Sequence, residues 1–99
     1  MIIEKELKNS FLKISFLQLV YFREIHRSEG MTIASRHLGV SQPALSQAIS
    51  EIEKRIQAPL FKKKSGRFEL TEIGKRFLDF SQEILRSSEE IFQWIENFK

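Results

Sequence analysis

The sequence predicts a mainly α fold, a winged helix-turn-helix of three helices plus a short β-hairpin wing, followed by a long C-terminal dimerisation helix. Three observations lead there. Two short amphipathic stretches meet at the tight turn Gly39-Val40, a basic stretch over 60–70 carries a turn signal at Ser65-Gly66, and a seven-residue apolar repeat extends from Ile73 to Phe98. Ninety-nine residues suffice for one compact core and one projecting element.

Taken in order, residues 1–10 are polar and weakly periodic after Ile3, and residues 1–14 are expected to form an N-terminal extension. Ser15 is the expected N-cap of the first helix, in which Phe16, Leu19, Phe22 and Ile25 recur every three residues and Leu17, Val20 and Tyr21 widen the apolar stripe. This helix should end near Glu29-Gly30. Thr32 is the expected cap of a second short helix carrying Ile33, Ala34 and Leu38 and stopped by Gly39. Ser41 caps the third helix, which tolerates Pro43 because the first turn has no partner for that missing N–H, and which runs to about Arg55.

Gln57-Ala58-Pro59 breaks the chain before Leu60–Leu70, read as two strands joined at Ser65-Gly66. Thr71 then caps the last helix. Its apolar residues Ile73, Phe77, Phe80, Ile84, Ile91, Trp94 and Phe98 step by alternating four and three, with only Ser87 interrupting. At 1.5 Å per residue, positions 72–98 make a rod of about 40 Å, longer than the small domain it leaves. Those seven side chains are the expected dimer interface, since such a stripe at helical spacing is a packing face and a second copy would cover it. The expected division is thus 1–14 extension, 15–70 winged domain and 71–99 linker and dimerisation helix.

Composition narrows the function. The formal charge of +3 divides unevenly: residues 1–68 hold twelve Lys/Arg against six Asp/Glu, and residues 69–99 hold four against seven. From Lys54 to Phe68 there are six basic residues and no acid, so the winged half is the candidate anion-binding part. Zero cysteines exclude disulfides, thiolate chemistry and the usual zinc sites. His26 and His37 have no partners at metal spacing, so no metal and no cofactor are expected. No Ser/His/Asp arrangement, Gly-rich phosphate loop or paired carboxylates point to an enzyme. There is no apolar run long enough to span a membrane and no signal-peptide pattern at the start, so a cytoplasmic, nucleoid-associated protein is expected.

The apolar positions Ala34, Leu38, Val40, Leu45 and Ala48 fall where a helix-turn-helix needs them, leaving the first turn of the third helix to face outward. That turn, Ser41, Gln42, Pro43 and Ala44, with Ser46 and Gln47, is small and polar, as a helix approaching a major groove requires, and its amides can read an adenine edge. The hairpin adds Lys62, Lys63, Lys64 and Arg67, which would neutralise phosphates, with Arg67 able to enter a minor groove. Together with Thr32, these are the candidate DNA-binding residues.

The stretches Phe16–Phe22, Ala34–Ile49, Ile52-Glu53, Ala58–Phe61 and Leu70–Gly74, in that order, resemble the N-terminal DNA-binding domain of LysR-type transcriptional regulators over about residues 15–99. The resemblance implies a third helix in the major groove, with Gln42, Pro43, Ser46 and Gln47 on bases or adjacent phosphates, and a wing served by Lys63 and Arg67. It implies a homodimer paired through the last helix on an interrupted inverted repeat of double-stranded DNA. Three residues depart from the pattern. Gln47 stands where many members have Arg, Lys63 where Arg is usual, and Ser35 replaces the second residue of a common Ala-Ala pair. Neither Gln nor Lys reproduces an Arg fork, so a different preferred sequence is expected. Members normally continue into a larger effector domain; within these residues no small-molecule effector site is expected. The competing expectation is a winged-helix interaction or adaptor module in which the wing lysines are incidental.

Overall fold

The computed structural model describes residues 13–99 of the chain. Most of the expected N-terminal extension, residues 1–12, lies outside the described residues. Helix α1, Phe16–Ser28, starts at a capping box: Ser15 Oγ accepts the Gln18 backbone N–H at 3.1 Å and Gln18 Oε1 accepts the Ser15 N–H at 2.8 Å. It buries Leu19, Phe22 and Ile25, and ends where Glu29 takes a left-handed conformation. Phe16 and Leu17, expected on its buried face, are instead more than half exposed.

Helix α2 spans Met31–Leu38 and its N-cap is Gly30 in extended backbone, so Thr32 is not the cap that its residue type suggested. The helix begins one residue before Thr32, which leaves the threonine hydroxyl free for a side-chain partner. The helix closes at Gly39, where φ is +68° and Val40 N–H donates to the Ser35 carbonyl at 3.1 Å. Helix α3, Gln42–Ile56, is capped by Ser41 Oγ accepting Ala44 N–H at 3.2 Å.

Strands β1, Phe61–Lys64, and β2, Arg67–Leu70, pair antiparallel with Phe61 opposite Leu70 and Lys64 opposite Arg67. The two residues between them have φ of +53° at Ser65 and +78° at Gly66, the signs of a type I′ turn, whose twist matches that of the strands. Helix α4, Glu72–Phe98, is capped by Thr71 Oγ1 accepting Gly74 N–H at 2.9 Å. Among the described residues no helix is long and apolar enough to cross a membrane.

Phe22 is the centre of the core. It is fully buried, its ring 5.3 Å from Phe61 of the hairpin and 5.1 Å, edge-on, from Phe77 of α4. Leu19, Ile25, Leu45, Ile52 and Leu60 close around it, so one cluster joins all three short helices, the hairpin and the first half of α4. Phe77 therefore belongs to this core, not to the intermolecular seam its spacing suggested. Ile84 is half-buried against the same cluster.

Candidate nucleic-acid interface

The turn between α2 and α3 sets which face of α3 is exposed. Ala34 and Leu45 are fully buried and Ala48 nearly so, which lets the two helices cross closely and fixes their angle. Ser35 is also buried, and it fits because its hydroxyl donates to the Thr32 carbonyl at 2.8 Å. With Leu45, Ala48, Ile49 and Ile52 turned inward, the cap Ser41 and, in the first turns of α3, Gln42, Pro43, Ala44, Ser46 and Gln47 are all exposed. The outer face near the start of α3 is thus free of bulky side chains, as close approach to another surface requires.

The hairpin is held against the end of α1. Phe68 N–H donates to the Glu29 carbonyl at 3.1 Å, and exposed Arg67 stands 3.7 Å from the Glu29 carboxylate. That exposed pair contributes little to stability and leaves the Arg67 guanidinium able to exchange partners. Lys63 lies opposite Phe68, with its ammonium 5.6 Å from the ring centre, so its stem reaches across to the neighbouring strand. A cleft of about 390 Å³ results between the start of α2, the start of α3 and the wing, bordered by Thr32, Ile33, Gln42, Lys63 and Phe68. Across it Gln42 Nε2 donates to Thr32 Oγ1 at 3.3 Å.

The wing lysines do not act as one cluster. Successive residues of a strand face opposite sides, so Lys62 and Lys64 leave the face that Lys63 shares with Phe61. Lys62 sits opposite Glu69 and borders a separate hollow with His26 and Lys75. The basic composition of the wing does not distinguish these three lysines, whereas strand alternation, readable in the sequence, separates them. Two acids hold the frame of α3: exposed Glu51 accepts Gln18 Nε2 at 2.7 Å, tying α1 to α3, and Glu53 accepts the Leu60 N–H at 2.7 Å.

On α4 a second surface runs beside the core-facing stripe. Ile73, Phe80, Ile91, Trp94 and Phe98 are at least half exposed, and the Trp94 and Phe98 rings stack at 5.2 Å. Phe92 and Ile95, which the heptad count left out, are exposed with them, as is Phe16 of α1, which faces Ile84 and Ile91 across an apolar groove of about 470 Å³.

A family model described as bacterial regulatory helix-turn-helix protein, lysR family, matches residues 16–75. The uncharacterized HTH-type transcriptional regulator YcgK of Bacillus subtilis (strain 168) is 36% identical over 73 residues, which are 74% of this chain and 22% of that protein. The HTH-type transcriptional regulator BudR of Klebsiella aerogenes is 39% identical over 71 residues, 72% of this chain and 50% of that one. The chain therefore spans half or less of the length of these two curated relatives. Among solved structures, the complex of the CbnR DNA-binding domain with DNA is similar at a TM-score of 0.78 with 26% identity, covering 84% of this chain and 95% of that one.

Proposed function

Because the chain belongs to the lysR family of bacterial regulatory helix-turn-helix proteins, we propose that it binds a specific double-stranded DNA sequence as a transcriptional regulator. In this reading residues 15–70 read the DNA and residues 71–99 join two copies. Helix α3 enters the major groove, with Gln42, Pro43, Ser46 and Gln47 toward base edges and Ser41 and Ala44 allowing the backbone to approach. Thr32 and Lys63 meet the flanking phosphates, and Lys62, Lys64 and Arg67 serve the backbone and minor groove beside the wing. Such a protein works in the cytoplasm, on the nucleoid.

The observation that carries the reading is the cleft at which Thr32, Gln42 and Lys63 meet. A base-reading amide, a hydroxyl and a cation on three different elements converge beside a helix face stripped of bulk. The resemblance to the DNA-bound CbnR domain supports the same use of this surface. The homodimer is supported by the uncovered stripe Ile73, Phe80, Ile91, Trp94 and Phe98, with Ile84 at its inner edge. Two copies joined through a rod of about 40 Å would hold two reading helices apart and select an interrupted inverted repeat.

The test is selection of bound sequences from random duplex DNA with the purified chain, followed by affinity for the winner as a function of salt. Enrichment of an interrupted inverted repeat is the expected result. Weak salt-sensitive binding without enrichment would overturn the reading in favour of an interaction module on the same fold.

A further inference from the structure

We propose that Thr32 is a positioning residue for base recognition: its hydroxyl fixes which way round the Gln42 amide is presented, and so which base α3 reads at that position. This rests on the DNA-binding reading above and adds a chemical preference to it.

Gln42 Nε2 donates to Thr32 Oγ1 at 3.3 Å, while the proton of that hydroxyl has no acceptor among the described residues. Both residues are exposed and border the cleft that Lys63 also lines. A free glutamine amide has two orientations related by half a turn, one with oxygen outward and one with nitrogen outward. A hydroxyl has one proton to give. Once Thr32 donates that proton to a phosphate oxygen of the docked DNA, its own oxygen can only accept. Nε2 can satisfy it and Oε1 cannot. Docking on the backbone therefore holds Gln42 with Nε2 inward and Oε1 outward.

That orientation selects its base. Oε1 needs a donor, and in the major groove only adenine N6 and cytosine N4 supply one. The Nε2 hydrogen used by Thr32 is the one directed away from Oε1. The other, on the oxygen's side of the amide, remains for the adenine N7 acceptor and completes a two-bond fork. The geometry thus points to adenine, with guanine and thymine excluded by facing acceptors against an acceptor.

The experiment compares site selection by the unaltered chain, Gln42→Ala, Thr32→Val and Thr32→Ser. The unaltered chain should enrich adenine at one position per half-site, which Gln42→Ala flattens. Thr32→Val keeps the shape of threonine without the hydroxyl and should reduce preference at that same position by about five- to hundredfold, leaving preferences elsewhere intact. Thr32→Ser should restore it, which a purely steric role for Thr32 would not predict. Thr32→Val weakening all sequences alike, with the adenine preference unchanged, would overturn the proposal and reduce Thr32 to a phosphate contact. Guanine or thymine at the Gln42 position would overturn it too. If the unaltered chain enriches nothing, the DNA-binding reading itself fails, an outcome distinct from either of these.

Discussion

A β-carbon on residue 74 would collide with the carbonyl oxygen of Leu60, so Gly74 is the residue that lets α4 start against the segment leading into β1. Leu60 is fully buried, its carbonyl accepts the Thr71 N–H at 3.0 Å, and Thr71 Oγ1 donates to the Pro59 carbonyl at 2.7 Å. The stretches Ala58–Phe61 and Leu70–Gly74 are thus two sides of one joint, which anchors the rod to the hairpin.

Gly74→Ala forces that joint apart. The obstacle is backbone, with Leu70 Cδ2 also 3.2 Å from the added carbon, so no side-chain rotation relieves it. The expected loss is about 1–3 kcal/mol, the range for overpacking a filled site, read as a lower denaturant midpoint at unchanged slope. An unchanged midpoint would mean that α4 can shift away from Leu60 freely.

Glu53 tests the other side of the same residue. Its carboxylate accepts the Leu60 N–H at 2.7 Å, so Glu53→Ala leaves a buried donor without its partner and should cost about 1–3 kcal/mol. Glu53→Gln retains an acceptor oxygen and should cost less. Equal loss from both changes in chemical denaturation would show that the charge, not the acceptor, matters.

The wing turn offers a stabilising change. Ser65 sits at φ +53° although it is not glycine, and in a type I′ turn Asn is the better residue at that first central position. Ser65→Asn should raise stability by about 0.5–1 kcal/mol, and Gly66→Ala should lower it by about 1–2 kcal/mol. Thermal unfolding of the two variants should move in opposite directions.

Phe77 and Ile91 share a heptad stripe but should fail differently. Phe77 is 7% exposed and lies on Phe22, so Phe77→Ala should unfold the domain by about 3–5 kcal/mol at any protein concentration. Ile91, 62% exposed, meets no core, so Ile91→Asp should leave the domain folded but yield monomers in sedimentation. Ile84 would not separate the two effects, because it is half-buried against the core while facing the outer groove.

These contrasts mark what the sequence could carry. Ser15, Ser41 and Thr71 were legible as caps because each bond is made within three residues of chain. The Gly39 and Ser65-Gly66 turns were legible because φ is a local property. Thr32 was misplaced as a cap because residue type suggested it while the extended backbone of Gly30 set the helix start. Phe77 was misassigned because a repeat records that a face is apolar, not whose apolar surface meets it. Glu53 could not be recognised because its partner, Leu60, is brought to it by the break at Gln57–Pro59. Of the interface, the exposed start of α3 followed from the burial pattern alone, whereas the Thr32–Gln42 bond spans ten residues and depends on the angle between two helices.

The proposed DNA-binding surface separates two kinds of contact. Gln42 is neutral and stands at the start of α3, so Gln42→Ala should cost about 1–3 kcal/mol on the preferred site and little on unrelated DNA, narrowing the gap between them. Lys63 acts by charge, so Lys63→Ala should weaken all sequences alike and lower the slope of log affinity against log salt by about 0.9, the release of one phosphate's counterion. Lys62 supplies the comparison, since it too is proposed to serve the DNA backbone but does so from the opposite face of β1, where Glu69 stands beside it. If the Lys63 effect comes from position, Lys62→Ala should change the slope less. Equal slopes for the two lysines would mean that the wing contributes only diffuse charge, and equal losses on every sequence from Gln42→Ala would remove base reading from the start of α3.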